Sequence, residues 1–183
     1  MHATMNFIAK SLLWMGVAVG LVAGTCGVRA QAPAVAGPEH QELKWREGTW
    51  DALIKSGGSE SKGVATYKME CAGLWLVSEF KGDFGGQAFQ GRGLDGYDPE
   101  KKKYVSVWVD SMSARPMLLE GEMDKEKKVL TLIGEGPGMD GKPAKFKSVT
   151  RRVDDNHETF KMSVVGADGA EMEMITIEYT RRK

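Results

Sequence analysis

The chain has 183 residues with 25 basic and 25 acidic side chains, so it is near neutral overall. It shows no basic patch suited to nucleic acid. Two cysteines and three histidines exclude a disulfide-stapled fold and leave little for a metal centre or a Ser/His/Asp or Cys/His nucleophile.

The N-terminus reads as a targeting segment. Lys10 gives a positive start, Ser11 to Val28 carries no charge, and Val28-Arg29-Ala30 places small residues at −3 and −1 of a cleavage site. A signal peptide is expected over residues 1–30, cut after Ala30 rather than Ala32, because Pro33 follows the second site. An uncleaved anchor is the competing reading, but four glycines dilute the apolar run. Thr25 is a poor neighbour for a lipid-modified Cys26. Cleavage leaves 153 residues, enough for one domain, with two basic residues removed and therefore a charge of −2. The expectation is an exported protein, periplasmic or secreted, with no stable membrane span after cleavage. Cys71 is then the lone cysteine, read as a buried small hydrophobe near a turn.

Residues 31–37 form an Ala/Pro/Gly linker, and residues 38–183 are expected to form a single domain. Pro38 suits the first position of a short helix through Glu39–Arg46, with Leu43 and Trp45 as its apolar members. Two turns of helix are unstable alone, so the segment must pack on something. After Gly48 the pattern changes to period two. Nine turn clusters follow, at 56–59, 71–73, 83–86, 98–101, 111–116, 124–127, 134–143, 154–157 and 166–169. They separate about ten strands, and short connections make neighbours antiparallel. Closing the sheet removes its edges, which predicts an all-β, antiparallel, up-and-down barrel. A two-sheet sandwich is the alternative.

Alternation nominates inward faces: Trp50, Ala52 and Ile54; Ala65, Tyr67 and Met69; Leu74, Leu76, Ser78 and Phe80. Later strands add Met117, Leu119, Gly121 and Met123, then Leu130 and Leu132, then Phe160, Met162 and Val164. On the last strand the Ile175, Ile177 and Tyr179 face is favoured over Met172, Met174 and Thr176. The fifth strand is ambiguous, with Val105, Val107 and Val109 on one face and Tyr104, Ser106, Trp108 and Asp110 on the other. A ligand cup needs a polar anchor, which favours the aromatic and acidic face as internal. An internal Asp110 needs a partner, for which Tyr104, the Trp50 N–H, Arg92 or Arg151 are candidates. Otherwise it only bonds the following turn. Gly91 and Gly93 mark a bend in the wall, or else clear space for an aromatic such as Trp108; the bend is preferred.

From Pro38 to Arg182 the chain resembles a bacterial family, domain of unknown function 1579. The resemblance rests on Gly48-Thr49-Trp50-Asp51, Lys81-Gly82-Asp83-Phe84, Gly96-Tyr97-Asp98 and Trp108-Val109-Asp110-Ser111-Met112. It continues in Gly134-Glu135-Gly136-Pro137, Gly141-Lys142-Pro143 and Tyr179-Thr180-Arg181. It implies a lipocalin-like barrel and no assigned activity. Haem-binding barrels of the nitrobindin type are similar in size but need an interior histidine, and His40 and His157 fall outside the expected strands. No cofactor or metal is expected.

The favoured function is binding of a small apolar or amphipathic ligand inside the barrel. The residues nominated for it are Trp50, Tyr67, Phe80, Tyr104, Trp108, Asp110, Met117, Met162 and Tyr179. One alternative is a barrel isomerase or lyase using Asp110 with Tyr104 or an arginine. Another is a structural or interaction barrel docking through the Val105/Val107/Val109 stripe. A monomer or weak dimer is expected.

Overall fold

A computed structural model describes residues 32–84, 86–138 and 140–183. The expected signal peptide lies outside the described residues. The domain itself begins at Ala34. Its strands are β1 Gly48–Ser56, β2 Ser59–Glu70, β3 Trp75–Phe84, β4 Gln87–Asp98 and β5 Lys103–Asp110. They continue as β6 Ser113–Met123, β7 Val129–Pro137, β8 Pro143–Arg152, β9 His157–Val165 and β10 Glu171–Arg181. Each strand pairs with its sequence neighbours, and β1 pairs antiparallel with β10, so the sheet closes into a ring. The expected up-and-down barrel of ten strands is the fold.

Turn chemistry sets the hairpins. Gly57 and Gly58 both have positive φ (56° and 81°), the backbone that a two-residue connection between twisted strands requires. At the next tight corner Asp98 Oδ1 accepts the N–H groups of Glu100 and Lys101 (2.9 and 3.1 Å). Two turns are shorter than expected. β6 already starts at Ser113, and Gly134, Gly136 and Pro137 belong to β7. A Cβ on Gly134 would lie 2.0 Å from the Leu118 carbonyl oxygen. That glycine therefore serves close strand approach rather than a turn.

The lumen is filled from alternating positions. Trp50, Ala52, Ile54, Ala65, Tyr67, Leu76, Phe80, Leu119, Leu130, Leu132 and Tyr179 are all buried. Leu74 instead precedes β3 as the cap of a short 3-10 turn. On β5 the Tyr104, Ser106, Trp108 and Asp110 face points inward and Val109 is exposed. Gly91 and Gly93 do not mainly mark a bend, because the indole of Trp108 lies over them. A Cβ on Gly91 would stand 2.2 Å from Trp108 Cζ2. Cys71 is exposed rather than buried, on a left-handed turn (φ 49°) outside the core.

The segment before β1 is not one helix. It consists of helix α1, Pro38–Gln41, and a separate 3-10 turn at Lys44–Arg46. His40 Nδ1 accepts the Gly37 N–H at 3.0 Å, closing the first turn. Leu43 is fully buried. The Trp50 indole donates to the Arg46 carbonyl at 2.8 Å, and Arg181 donates to the carbonyls of Glu47 and Trp45. Residues 38–47 thus stopper the barrel end formed by the start of β1 and the end of β10; the opposite end has no such stopper among the described residues.

The Gly91–Trp108 contact gives a direct test of lumen packing. Gly91→Ala is expected to cost about 1–3 kcal/mol by overpacking. Adding Trp108→Leu should return part of that loss, a coupling that urea unfolding of the single and double variants measures.

Candidate functional site

The stoppered end holds a buried polar cluster. Arg46, at the last position of the 3-10 turn, sends its guanidinium into the barrel. Nε and Nη2 donate to the two oxygens of Glu158 at 3.0 and 2.8 Å. Nη1 donates to Asp95 at 3.2 Å, and Nη2 also donates to the Tyr67 hydroxyl at 2.9 Å. Asp95 further accepts from Ser106 at 2.6 Å. Tyr67 and Tyr179 are both buried beside it. Glu158 sits on β9 and Asp95 on β4, which are five places apart in the ten-strand ring whichever way it is followed. One guanidinium therefore bridges opposite walls.

The charges in this cluster are strongly perturbed. Burial pushes the Glu158 carboxyl up, and the attraction of Arg46 only partly offsets it. Burial alone would lower Arg46, but the charges of Glu158, Tyr67 and Asp95 outweigh it and hold the guanidinium above its ordinary value. Burial raises the Tyr67 phenol to about 12 and the Tyr179 phenol well above its usual value. Four of the five N–H donors of Arg46 are committed to protein partners, and its charge is shared between Glu158 and Asp95.

Tyr104 also belongs to the stopper. Its hydroxyl donates to Glu42 at 2.6 Å, and its ring packs 5.2 Å from Tyr97. Burial, with Glu42 second, raises this phenol. Tyr104 and Asp110 are six residues apart on one strand, roughly 20 Å. They do not form an acid–base pair.

The other end is apolar and less covered. Phe84, Phe89, Trp108, Met117, Met162, Val164, Met174 and Ile175 are partly buried and pack against the core. Phe89 lies 5.9 Å from Phe80 and 6.0 Å from Phe84, centroid to centroid. Asp110 is at the rim. It accepts the Trp108 indole N–H at 2.8 Å through one oxygen and the Met112 N–H at 2.8 Å through the other. None of the four expected partners reaches it; Arg92 lies on the outer wall beside Glu79. Asp110 thus both fixes the indole and holds the turn.

The nominated residues therefore separate into two groups. Trp50, Tyr67, Tyr104 and Tyr179 surround the stopper. Phe80, Trp108, Asp110, Met117 and Met162 lie in the half towards the open end. Two outer clefts complete the surface. One of about 340 Å³ lies at Glu126–Lys128 and Arg152–Asp155, and one of about 320 Å³ runs along Glu79, Arg92, Val109 and Asp110. Among the described residues no group of three His, Cys, Asp or Glu side chains is arranged to hold a metal ion. His157 begins β9 but is exposed, and it pairs with Asp154 at 2.9 Å.

Sequence reasoning missed Arg46 and Glu158. Arg46 figured only as the last residue of the expected short helix, and Glu158 lies one residue past a turn. Only the period-two step from Glu158 to Phe160 and Met162 could have placed that carboxylate inside.

A family model described as a protein of unknown function, DUF1579, matches residues 35–181. No curated protein sequence matches the chain. Among solved structures, the protein Rv2717c from M. tuberculosis is similar with a TM-score of 0.59 and 11% identity, over 82% of this chain and 100% of that one. A redesigned β barrel matches with a TM-score of 0.42 and 12% identity over 78% of this chain and 96% of that one. The protein EF1p2_mFAP2b bound to DFHBI gives the same TM-score of 0.42 and identity of 12%, over 78% of this chain and 98% of that one.

Two tests follow from the buried cluster. Arg46→Met leaves Glu158 buried and unpaired and is expected to cost about 3–5 kcal/mol in urea unfolding at neutral pH. Adding Glu158→Met should recover most of that loss. In the second test, the raised phenols stabilise the fold fully below pH 10 and lose that contribution as pH rises through about 12 for Tyr67. The slope is up to about 1.4 kcal/mol per pH unit for each phenol. An absorbance titration at alkaline pH should show Tyr67, Tyr104 and Tyr179 ionising together with unfolding.

Proposed function

The chain belongs to the DUF1579 family of proteins of unknown function, and we propose that it is an exported barrel that binds a small apolar or amphipathic molecule at its open end. The observation that carries this reading is the contrast between the two ends of one lumen. At the stopper, Trp50, Tyr67, Tyr104 and Tyr179 are buried beside an ion-paired cluster, with Met69, Tyr97 and Met123 partly covered. At the open end, inward aromatic, methionine and branched side chains are only partly covered.

Trp108 is the centre of that face. Gly91 and Gly93 clear the wall beneath its ring, and Asp110 anchors its indole nitrogen. The ring is therefore held at a fixed orientation, presenting a flat apolar surface with a carboxylate beside it. Met117 and Met162 supply adaptable walls that conform to ligands of varied shape. Asp110 retains acceptor capacity for a hydroxyl or amine on the ligand.

Native mass spectrometry with solvent extraction of the exported protein should reveal a co-purifying small molecule. N-terminal sequencing should begin at Gln31. The neutral apolar dye N-phenyl-1-naphthylamine should bind, and Trp108→Ala should weaken it at least about tenfold, or about 1.4 kcal/mol. Trp50→Phe, at the stoppered end, should leave dye binding unchanged. An empty protein that ignores the dye, or dye binding indifferent to Trp108→Ala, would falsify the assignment.

A further inference from the structure

We infer that the outer wall of β3–β6 is a contact surface for a second copy of this chain, packed about a twofold axis parallel to the strands. The barrel exterior is two-faced. Around β8, β9, β10 and β1 it carries the ion pairs Lys147–Glu171, Lys161–Glu173 and Lys55–Glu178, at 2.7, 3.0 and 2.6 Å, whereas over β3–β6 ion pairs such as Glu79–Lys81 and Lys103–Glu120 flank an apolar row. On the opposite side the backbone register aligns Val77 with Leu94, Leu94 with Val107, and Val107 with Leu118. Four adjacent strands thus present one unbroken apolar row. Leu94 is 43% exposed and Leu118 55%, and the neighbouring Val109 is 45% exposed. Isolated exposed apolar residues are ordinary, but a contiguous row across four strands marks a contact surface.

The order of side chains in the row identifies the partner. Read from β3 to β6 it is Val, Leu, Val, Leu. A twofold axis parallel to the strands, passing between Leu94 and Val107, reverses the order in the second copy. Val77 then faces Leu118, and Leu94 faces Val107, so each larger side chain meets a smaller one. This is the reciprocal pairing that an isologous interface requires. The same axis brings charges into register. Asp98 and Lys103 are paired positions at the stoppered end of β4 and β5. The rotation places Lys103 of each copy, half-exposed and also 3.3 Å from its own Glu120, over Asp98 of the other, whose Oδ1 is held by its own turn. A partner of single-signed charge has no such match, because the rim holds both signs.

The geometry is that of two sheets packed face to face with aligned strands. Strand spacing and rise give the patch an area of a few hundred Å², on the order of half or less of what a stable interface buries on each partner. The dimer is therefore weak and forms at high protein concentration. It leaves the open end of each barrel accessible, so it does not rest on the ligand assignment.

Sedimentation equilibrium over a wide concentration range tests the surface. The expected result is a monomer–dimer equilibrium that Leu118→Lys and Leu94→Lys each weaken at least tenfold. Far-UV circular dichroism and urea midpoints should remain those of the parent chain. Lys55→Ala, on the ion-paired wall, should not change association. If one substitution at the row disturbs folding, the other alone decides the outcome. A protein that stays monomeric at every concentration, or a dimer indifferent to the lysine variants, overturns the proposal.

Discussion

Arg46 holds the two sides of the barrel to each other. Hydrogen bonds along a closed sheet set the neighbours of each strand but leave the cross-section free to flatten. A guanidinium bound at once to Glu158 on β9 and Asp95 on β4 fixes the separation of opposite walls. Removing three charges from water is costly, and the attraction among them repays it only with near-complete hydrogen bonding. The cluster meets that condition, since no buried side-chain nitrogen or oxygen lacks a partner among the described residues. The stopper is held in the same way, because the backbone carbonyl of Arg46 receives the Trp50 indole. One residue therefore links the entering chain, the first strand and both faces of the lumen.

The consequence is a lumen with unlike ends. Near Arg46 the interior is polar, and its charges are paired with one another. Towards Trp108 the packing depends on shape alone. Gly91, Gly93 and Gly136 lie where the Trp108 and Met117 side chains come down onto the wall. Bulky side chains stand over glycine on neighbouring strands, so the Trp108 ring and the Met117 thioether lie close against the wall. The outer wall is uneven too, since only over β3–β6 does an apolar row run between the ion pairs.

Much of the barrel could be read from period and turns. The inward faces of the first, second, sixth, seventh and ninth strands follow from alternation, and the tenth from its isoleucines despite a register shift between Glu173 and Ile175. Strand β5 was harder, because hydrophobicity alone favours valines inside; only the demand for a polar anchor favoured Tyr104, Trp108 and Asp110. Glycines misled where they sit within strands. Gly134 and Gly136 look like turn residues, yet they mark close approach of Leu118 and Met117. Of the polar cluster, only Glu158 could be placed inside, by its period-two step to Phe160 and Met162. Its partner Arg46 is 112 positions away and lies in no local pattern that distinguishes a buried charge from a solvated one.

Ring closure also imposes an order of assembly. Nine of the ten strand pairings join neighbours through short connections and are available to a chain as it lengthens. The tenth pairs Trp50 with Arg181, and the Arg46–Glu158 bridge spans nearly the same stretch. Until β10 is in place, β1 and β9 each present an unpaired edge, and a carboxylate meant for the interior has a partner tethered to the far end of the sheet. The final strand and the stopper therefore engage as one event, in which the last free edges vanish as the buried charges are neutralised.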